Sequence, residues 1–177
     1  MSSIYQDEQN LRYLLQNAKS LEKFDLFIAH QNLVGPHHHG VLSLSARTLK
    51  VFDLSISLSY SDHLALTWLG EELGAMVGRC MLEAFSFKVY VYGDVTEDLV
   101  GSILRQVEEV LVKPGWSASA LRQVSFKVEV RVRPAEYNAK LSEALQSLPD
   151  KYLSHLPKHD SVAFNFSSNV SSAYESE

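Results

Sequence analysis

Residues 49–60 read Leu-Lys-Val-Phe-Asp-Leu-Ser-Ile-Ser-Leu-Ser-Tyr. Phe52, Leu54, Ile56, Leu58 and Tyr60 share one parity, while Asp53, Ser55, Ser57 and Ser59 share the other. Successive side chains of a strand point to opposite faces, so this pattern predicts a strand with one apolar side and one hydroxyl-lined side. A strand covered on both faces would not carry three serines, so the sheet is expected to keep one face open. That expectation argues against a doubly wound parallel sheet.

The same alternation appears on either side. Phe85, Phe87, Val89 and Val91 mark a strand ending at Tyr92, and Val124, Phe126, Val128, Val130 and Val132 mark another over Val124–Arg133. Phe24–Ala29 is a shorter candidate, and Val162, Phe164 and Phe166 suggest one more short strand. Helical spacing is seen in Leu11, Leu14, Leu15, Ala18 and Leu21, and in Leu66, Leu69, Leu73, Met76, Val77 and Cys80. A third helix carries Leu99, Ile103, Val107 and Val110, with Asp94 and Glu97 at capping-box spacing. A last helix opens at Pro134 and carries Tyr137, Leu141, Leu145 and Leu148. The expected architecture is a two-layer α+β fold, with a mainly antiparallel sheet of amphipathic strands covered on one face by helices. Its expected parts are an N-terminal helical segment (1–23), a single α+β domain (24–166) and a flexible Ser-rich tail (167–177).

With 177 residues and 46% hydrophobic residues, the chain can bury a core and is neither disordered nor of low complexity. Cys80 is the one cysteine, which excludes a disulfide scaffold and a multi-cysteine zinc site. The first residues lack the basic, apolar and small-residue series of a secretory signal, and no window approaches the ~20 apolar residues of a membrane-spanning helix. Charge is unevenly spread over the net −5. Residues 51–112 carry three basic and ten acidic side chains, whereas residues 113–140 carry six basic and two acidic. The second block allows one basic face on an acidic protein.

That face would present Lys127, Arg131 and Arg133, on alternate positions spaced ~7 Å along one side of a strand. It is either a solvated strand face or an anionic-surface contact. Nucleic-acid readout is less suited to it, because no aromatics interleave with the cations. Gly70, Gly74 and Gly78 recur every fourth residue and so share one helix face. They point to a flat strip for close helix packing, since each glycine costs about 1 kcal/mol relative to Ala and needs a compensating contact. Glu71, Glu72 and Arg79 set this apart from a membrane glycine motif.

His37, His38 and His39 are metal-ligand types, and His30 and His63 could join them through the fold. Three consecutive residues do not readily converge on one ion, so an exposed polar loop competes with a metal site. Cys80 sits among Met76, Val77 and Met81 as a small hydrophobe would. Asp53, Glu71, Glu72 and Asp94 have no evident pairing, and Asn165 and Asn169 match a glycosylation pattern that has no meaning without secretion. No Gly-rich phosphate loop follows a strand, so no cofactor is expected.

The stretch from Phe52 to Gly93 resembles the central part of rhabdovirus matrix proteins, the plant-infecting cytorhabdovirus type in particular. The resemblance lies in Tyr60-Ser61-Asp62 before a helix containing Trp68, then Gly78-Arg79, then Phe87-Lys88 in a strand ending at Gly93. It implies a structural protein and no enzyme: one that self-associates, binds the viral nucleocapsid and attaches to an anionic membrane surface during budding. The setting it implies is the virion and the host cytoplasm, or the periphery of host membranes. Two features depart from the animal-virus pattern: the first eleven residues hold no Lys or Arg, and no Pro-Pro-x-Tyr motif occurs. On this reading Lys127, Arg131 and Arg133 meet the anionic surface. Leu11, Leu14 and Leu15, with the His30–Gly40 loop, serve subunit contacts. The alternatives are a small metal-dependent enzyme using His37, His39 and His63, and an intracellular adaptor domain.

Overall fold

The computed structural model describes residues 13, 15–17, 20–28, 48–59, 70–71, 73–76, 79, 81–92, 96–112, 121–132, 139–158 and 160–172. Five strands form one sheet: β1 (Lys23–Ile28), β2 (Val51–Ser59), β3 (Ala84–Tyr92), β4 (Gln123–Val132) and β5 (Ala163–Ser172). Their order across the sheet is the order of the chain, and all four neighbouring pairs are parallel. The expectation of a mainly antiparallel sheet in an α+β fold is therefore corrected to a parallel sheet of the α/β kind.

The cause lies in the connections. Two-residue turns join antiparallel strands, whereas parallel strands need a crossover of a dozen residues or more. Segments 29–50, 60–83, 93–122 and 133–162 each exceed twenty residues. A sheet whose strands step in one direction, joined by crossovers of the usual right hand, receives every connection on the same face. An open face excludes a doubly wound sheet, as expected from the serines, but it leaves this singly wound arrangement available.

Register keeps the apolar rows in phase. Phe24, Phe52, Phe85, Val124 and Phe164 form one row, and Leu26, Leu54, Phe87, Phe126 and Phe166 form the next. Neighbouring rings meet, with centroids 5.9 Å apart for Phe24–Phe52, 5.7 Å for Phe52–Phe85 and 5.9 Å for Phe87–Phe126. Such pairs contribute ~0.5–1.5 kcal/mol each beyond the burial of their area. The register is also set at the strand entrances. The carbonyls of Glu22, Lys50 and Glu83, each just before a strand, accept two backbone N–H groups from the start of the next strand. Glu22, Lys50, Glu83 and Arg122 thus line the entrance with alternating charge, and Lys50 Nζ reaches Glu22 at 2.9 Å.

Helices cover the apolar face. Helix α1 (Glu97–Leu111) buries Val100, Ile103, Leu104, Val107, Val110 and Leu111. Its N-cap is Thr96, whose hydroxyl accepts from the Leu99 N–H at 3.3 Å, so the cap falls two residues after the Asp94 of the expected capping box. The last predicted helix is two pieces, α2 (Ala139–Gln146) and α3 (Leu148–Tyr152), because Pro149 sits in the first turn of the second. Residues 152–156 are strapped onto α1. The carboxylate of Glu108, only 2% exposed, accepts the N–H groups of Ser154, His155 and Leu156 at 3.0, 2.9 and 2.8 Å. Towards the N-terminus of α1, the Tyr152 hydroxyl donates to Asp98 and its ring lies 5.5 Å from the Arg105 guanidinium carbon. Gly101 sits beneath that ring, and a Cβ there would lie 2.5–2.6 Å from three ring atoms.

Two further expectations change. Residues 167–172, assigned to a flexible tail, are the second half of β5, which is ten residues long and matches the full length of β4. The close packing expected at Gly70 and Gly74 is also not found: a Cβ on either meets no atom of the described residues within 4 Å. Gly78 lies outside the described residues. No helix among the described residues is long and apolar enough to cross a membrane.

Candidate interaction surface

The open face of the sheet is where the polar parity of every strand comes together. Its rows run Asp25, Asp53, Ser86, Ser125, Asn165, then Phe27, Ser55, Lys88, Lys127, Ser167. The next row holds Tyr90, Glu129 and Asn169, and the last Tyr92, Arg131 and Ser171. β1 and β2 carry an ion pair, Lys23 Nζ to Asp53 at 3.2 Å. Phe27, 61% exposed, reaches the edge of the Tyr90 ring with centroids 6.3 Å apart. Ser55, the register partner of Phe27 on β2, lies between the strands that carry these two rings and is buried.

The basic part of this face is on β3 and β4. Lys88 and Lys127 are register partners, which places their Cα atoms ~4.8 Å apart across the ladder. Lys127 Nζ also contacts the Glu129 carboxylate at 2.6 Å. That hydrogen bond, and then the negative charge of Glu129, hold the Lys127 ammonium pKa above its ordinary value. Arg131 lies with its guanidinium carbon 5.7 Å from the Tyr92 ring centre, and Tyr92 is 41% exposed. The face therefore offers partly matched cations held in fixed positions, beside exposed aromatic surface. Its chemistry suits contact with an anionic or mixed polar surface.

Of the residues singled out from the sequence, Lys127 and Arg131 lie on this face, and Arg133 lies outside the described residues. Lys88 belongs with them, and sequence reasoning missed it. The available signal was that Lys88 and Lys127 occupy the same place in two strands of matching pattern, Phe-Lys-Val in each. Leu15 is buried at 3% exposure, so its side chain is not presented for subunit contact in this conformation. Leu11 and Leu14 lie outside the described residues, as do the His30–Gly40 loop, His63, Cys80, Glu72 and Asp94. Among the described residues no group of three or more His, Cys, Asp or Glu side chains is placed to hold a metal ion. Asp53 has found a partner in Lys23, and Asn165 and Asn169 are exposed on β5. Glu108 was also missed. A glutamate at that position continues the apolar stripe of Leu104, Val107 and Leu111, a placement that signals a buried carboxylate with built-in donors.

No protein-family model matches this chain, and no curated protein or solved structure matches it.

Proposed function

We propose that this protein is a self-associating structural protein of the matrix type, which bridges a ribonucleoprotein to an anionic membrane surface. The observation that supports the reading best is the polar face of an all-parallel sheet, which among the described residues lies opposite the helix-covered face and leaves Phe27 and Tyr92 exposed. Such sheets almost always have both faces covered, so a long-lived free face points to a partner. The face holds Lys88, Lys127 and Arg131 in fixed relation, with exposed aromatic groups beside them. The resemblance over Phe52–Gly93 supplies the setting: virions, and the periphery of host membranes.

Each basic residue near an anionic membrane contributes ~1 kcal/mol. Glu129 matches the Lys127 charge, so among the described residues one copy carries two cations on this face outside that ion pair, Lys88 and Arg131. Attraction of ~2 kcal/mol per copy is too weak to hold a single molecule, and attachment needs several copies engaged together. Self-association and membrane attachment are therefore one property in this reading.

Flotation with vesicles containing phosphatidylserine tests it. Wild-type protein should float at low salt and above its association concentration, and the fraction bound should fall as salt is raised. Lys88→Glu with Arg131→Glu should abolish flotation while circular dichroism is unchanged. Protein that remains monomeric at all concentrations and ignores these vesicles at low salt would refute the proposal.

A further inference from the structure

The two edges of the sheet are not alike. β1 is six residues long and carries Lys23 and Asp25. β5 is ten residues long, Ala-Phe-Asn-Phe-Ser-Ser-Asn-Val-Ser-Ser, with no charged residue and no proline. Charges, proline and short length are how an edge is kept from pairing with another chain, and β5 has none of these guards. Among the described residues β5 pairs with β4 and with no other strand.

The direction of its backbone groups follows from one bond. The Ala163 N–H donates to Arg122 O on the β4 side at 2.7 Å. Backbone groups of successive strand residues point to opposite sides, so Phe164, Phe166, Ser168 and Val170 direct their N–H and C=O groups outward. On the helix-covered side, Phe164 and Phe166 are half-buried and Val170 is buried.

We infer that the outer edge of β5 is the self-association surface, pairing with β5 of a second copy to form one continuous ten-stranded sheet. This deepens the self-association reading proposed above and rests on it. An uncharged strand meets its own copy without like-charge repulsion, whereas pairing through β1 would bring Lys23 and Asp25 to the junction. Antiparallel pairing about a two-fold axis at Ser167 sets Phe164 opposite the partner's Val170 and extends the apolar face across the joint. The open faces also become continuous. β4 and the β4 of the second copy then stand three strand spacings apart, ~14 Å. The two Lys88, Lys127 and Arg131 groups thus become one patch, which doubles the cations available to an anionic surface without any new contact.

The test uses the full chain in sedimentation velocity over a concentration series. Ser168→Pro removes an outward N–H and leaves the β4–β5 ladder intact, as proline is accepted on an edge strand when its missing N–H faces outward. It should weaken dimerisation ~30-fold, equivalent to ~2 kcal/mol at 1.4 kcal/mol per tenfold change. Ser167→Pro, which removes an inward N–H, should instead lower the melting temperature. Asn169→Lys keeps every backbone group and should weaken the dimer in a salt-dependent way. In hydrogen exchange, the amides of Phe164, Phe166, Ser168 and Val170 should gain protection as concentration rises. If the protein oligomerises and folded Ser168→Pro and Asn169→Lys associate as tightly as wild type, the β5 assignment is wrong and the self-association reading stands. If the wild-type protein is monomeric throughout, both fall.

Discussion

Gly101→Ala sets two known effects against each other. Alanine in a helix interior is favoured over glycine by ~1 kcal/mol, so the substitution by itself should stabilise α1. The added Cβ, however, would sit 2.5–2.6 Å from the Cγ, Cδ1 and Cδ2 atoms of Tyr152. Ordinary contact requires the ring to retreat by about 1 Å. Cγ is one bond from the Tyr152 Cβ, so the retreat must move α3 or swing the whole ring out. Either movement draws the hydroxyl from Asp98 and the ring from Arg105. Overpacking of this kind costs ~1–3 kcal/mol. The overpacking term should win, leaving a net loss of up to ~2 kcal/mol once the propensity gain of ~1 kcal/mol is deducted. The assay is urea unfolding followed by far-ultraviolet circular dichroism, in wild-type and Tyr152→Ala backgrounds. Without the ring only the propensity term remains, and Gly101→Ala should stabilise Tyr152→Ala by ~1 kcal/mol. The reversal of sign is the diagnostic result. A stabilising effect in the wild-type background, or an equal loss in both, would refute the argument.

Two other perturbations probe the same strap. Glu108→Ala leaves the N–H groups of Ser154, His155 and Leu156 without their acceptor, and an unmet buried donor costs ~1–3 kcal/mol. Leu156 is buried, whereas Ser154 and His155 are exposed and water can take their N–H groups. A loss of ~1–3 kcal/mol is therefore expected, visible as a lower urea midpoint, and proteolysis near residue 155 should accelerate. Glu108→Gln, which keeps one acceptor oxygen, should lose less. Alkaline pH should weaken the fold through Tyr152: its hydrogen bond to Asp98 raises the phenol pKa above its ordinary value, with partial burial adding to the effect. The folded state holds that proton more tightly than the unfolded state, so the contribution is complete below the unfolded phenol value and is lost as pH rises beyond it. Asp98→Asn should shift the Tyr152 phenolate titration, followed by ultraviolet absorbance, to lower pH and flatten the alkaline fall in urea midpoint. Lys50 and Lys127, raised by hydrogen bonds to Glu22 and Glu129, fall in the same alkaline window, so wild type and Asp98→Asn must be compared side by side.

Period-two alternation determined where β1 to β4 lie and which side of each is buried. It is a local property: neighbouring side chains of an extended chain point opposite ways whatever lies alongside. The open polar face was legible for the same reason, in Asp53, Ser55 and Ser57 and in Ser125, Lys127, Glu129 and Arg131. Strand direction was not legible from alternation, because parallel and antiparallel neighbours impose the same period. The available signal was the long interval between strands, which is too long for tight hairpins and permits parallel crossovers. Only the assembled sheet determined the rest. Ser167–Ser172 extend β5 because ten residues of β4 offer them a ladder, although serine-rich sequence has little preference for strands. The glycine repeat shows how far spacing reaches. It places Gly70 and Gly74 on one helix face but cannot say whether anything rests on them. Among the described residues, the glycine that meets a close neighbour is the unrepeated Gly101, whose partner is fifty-one residues away in the chain. Contacts between distant segments depend on how the chain closes on itself, and for that reason tertiary structure decided them.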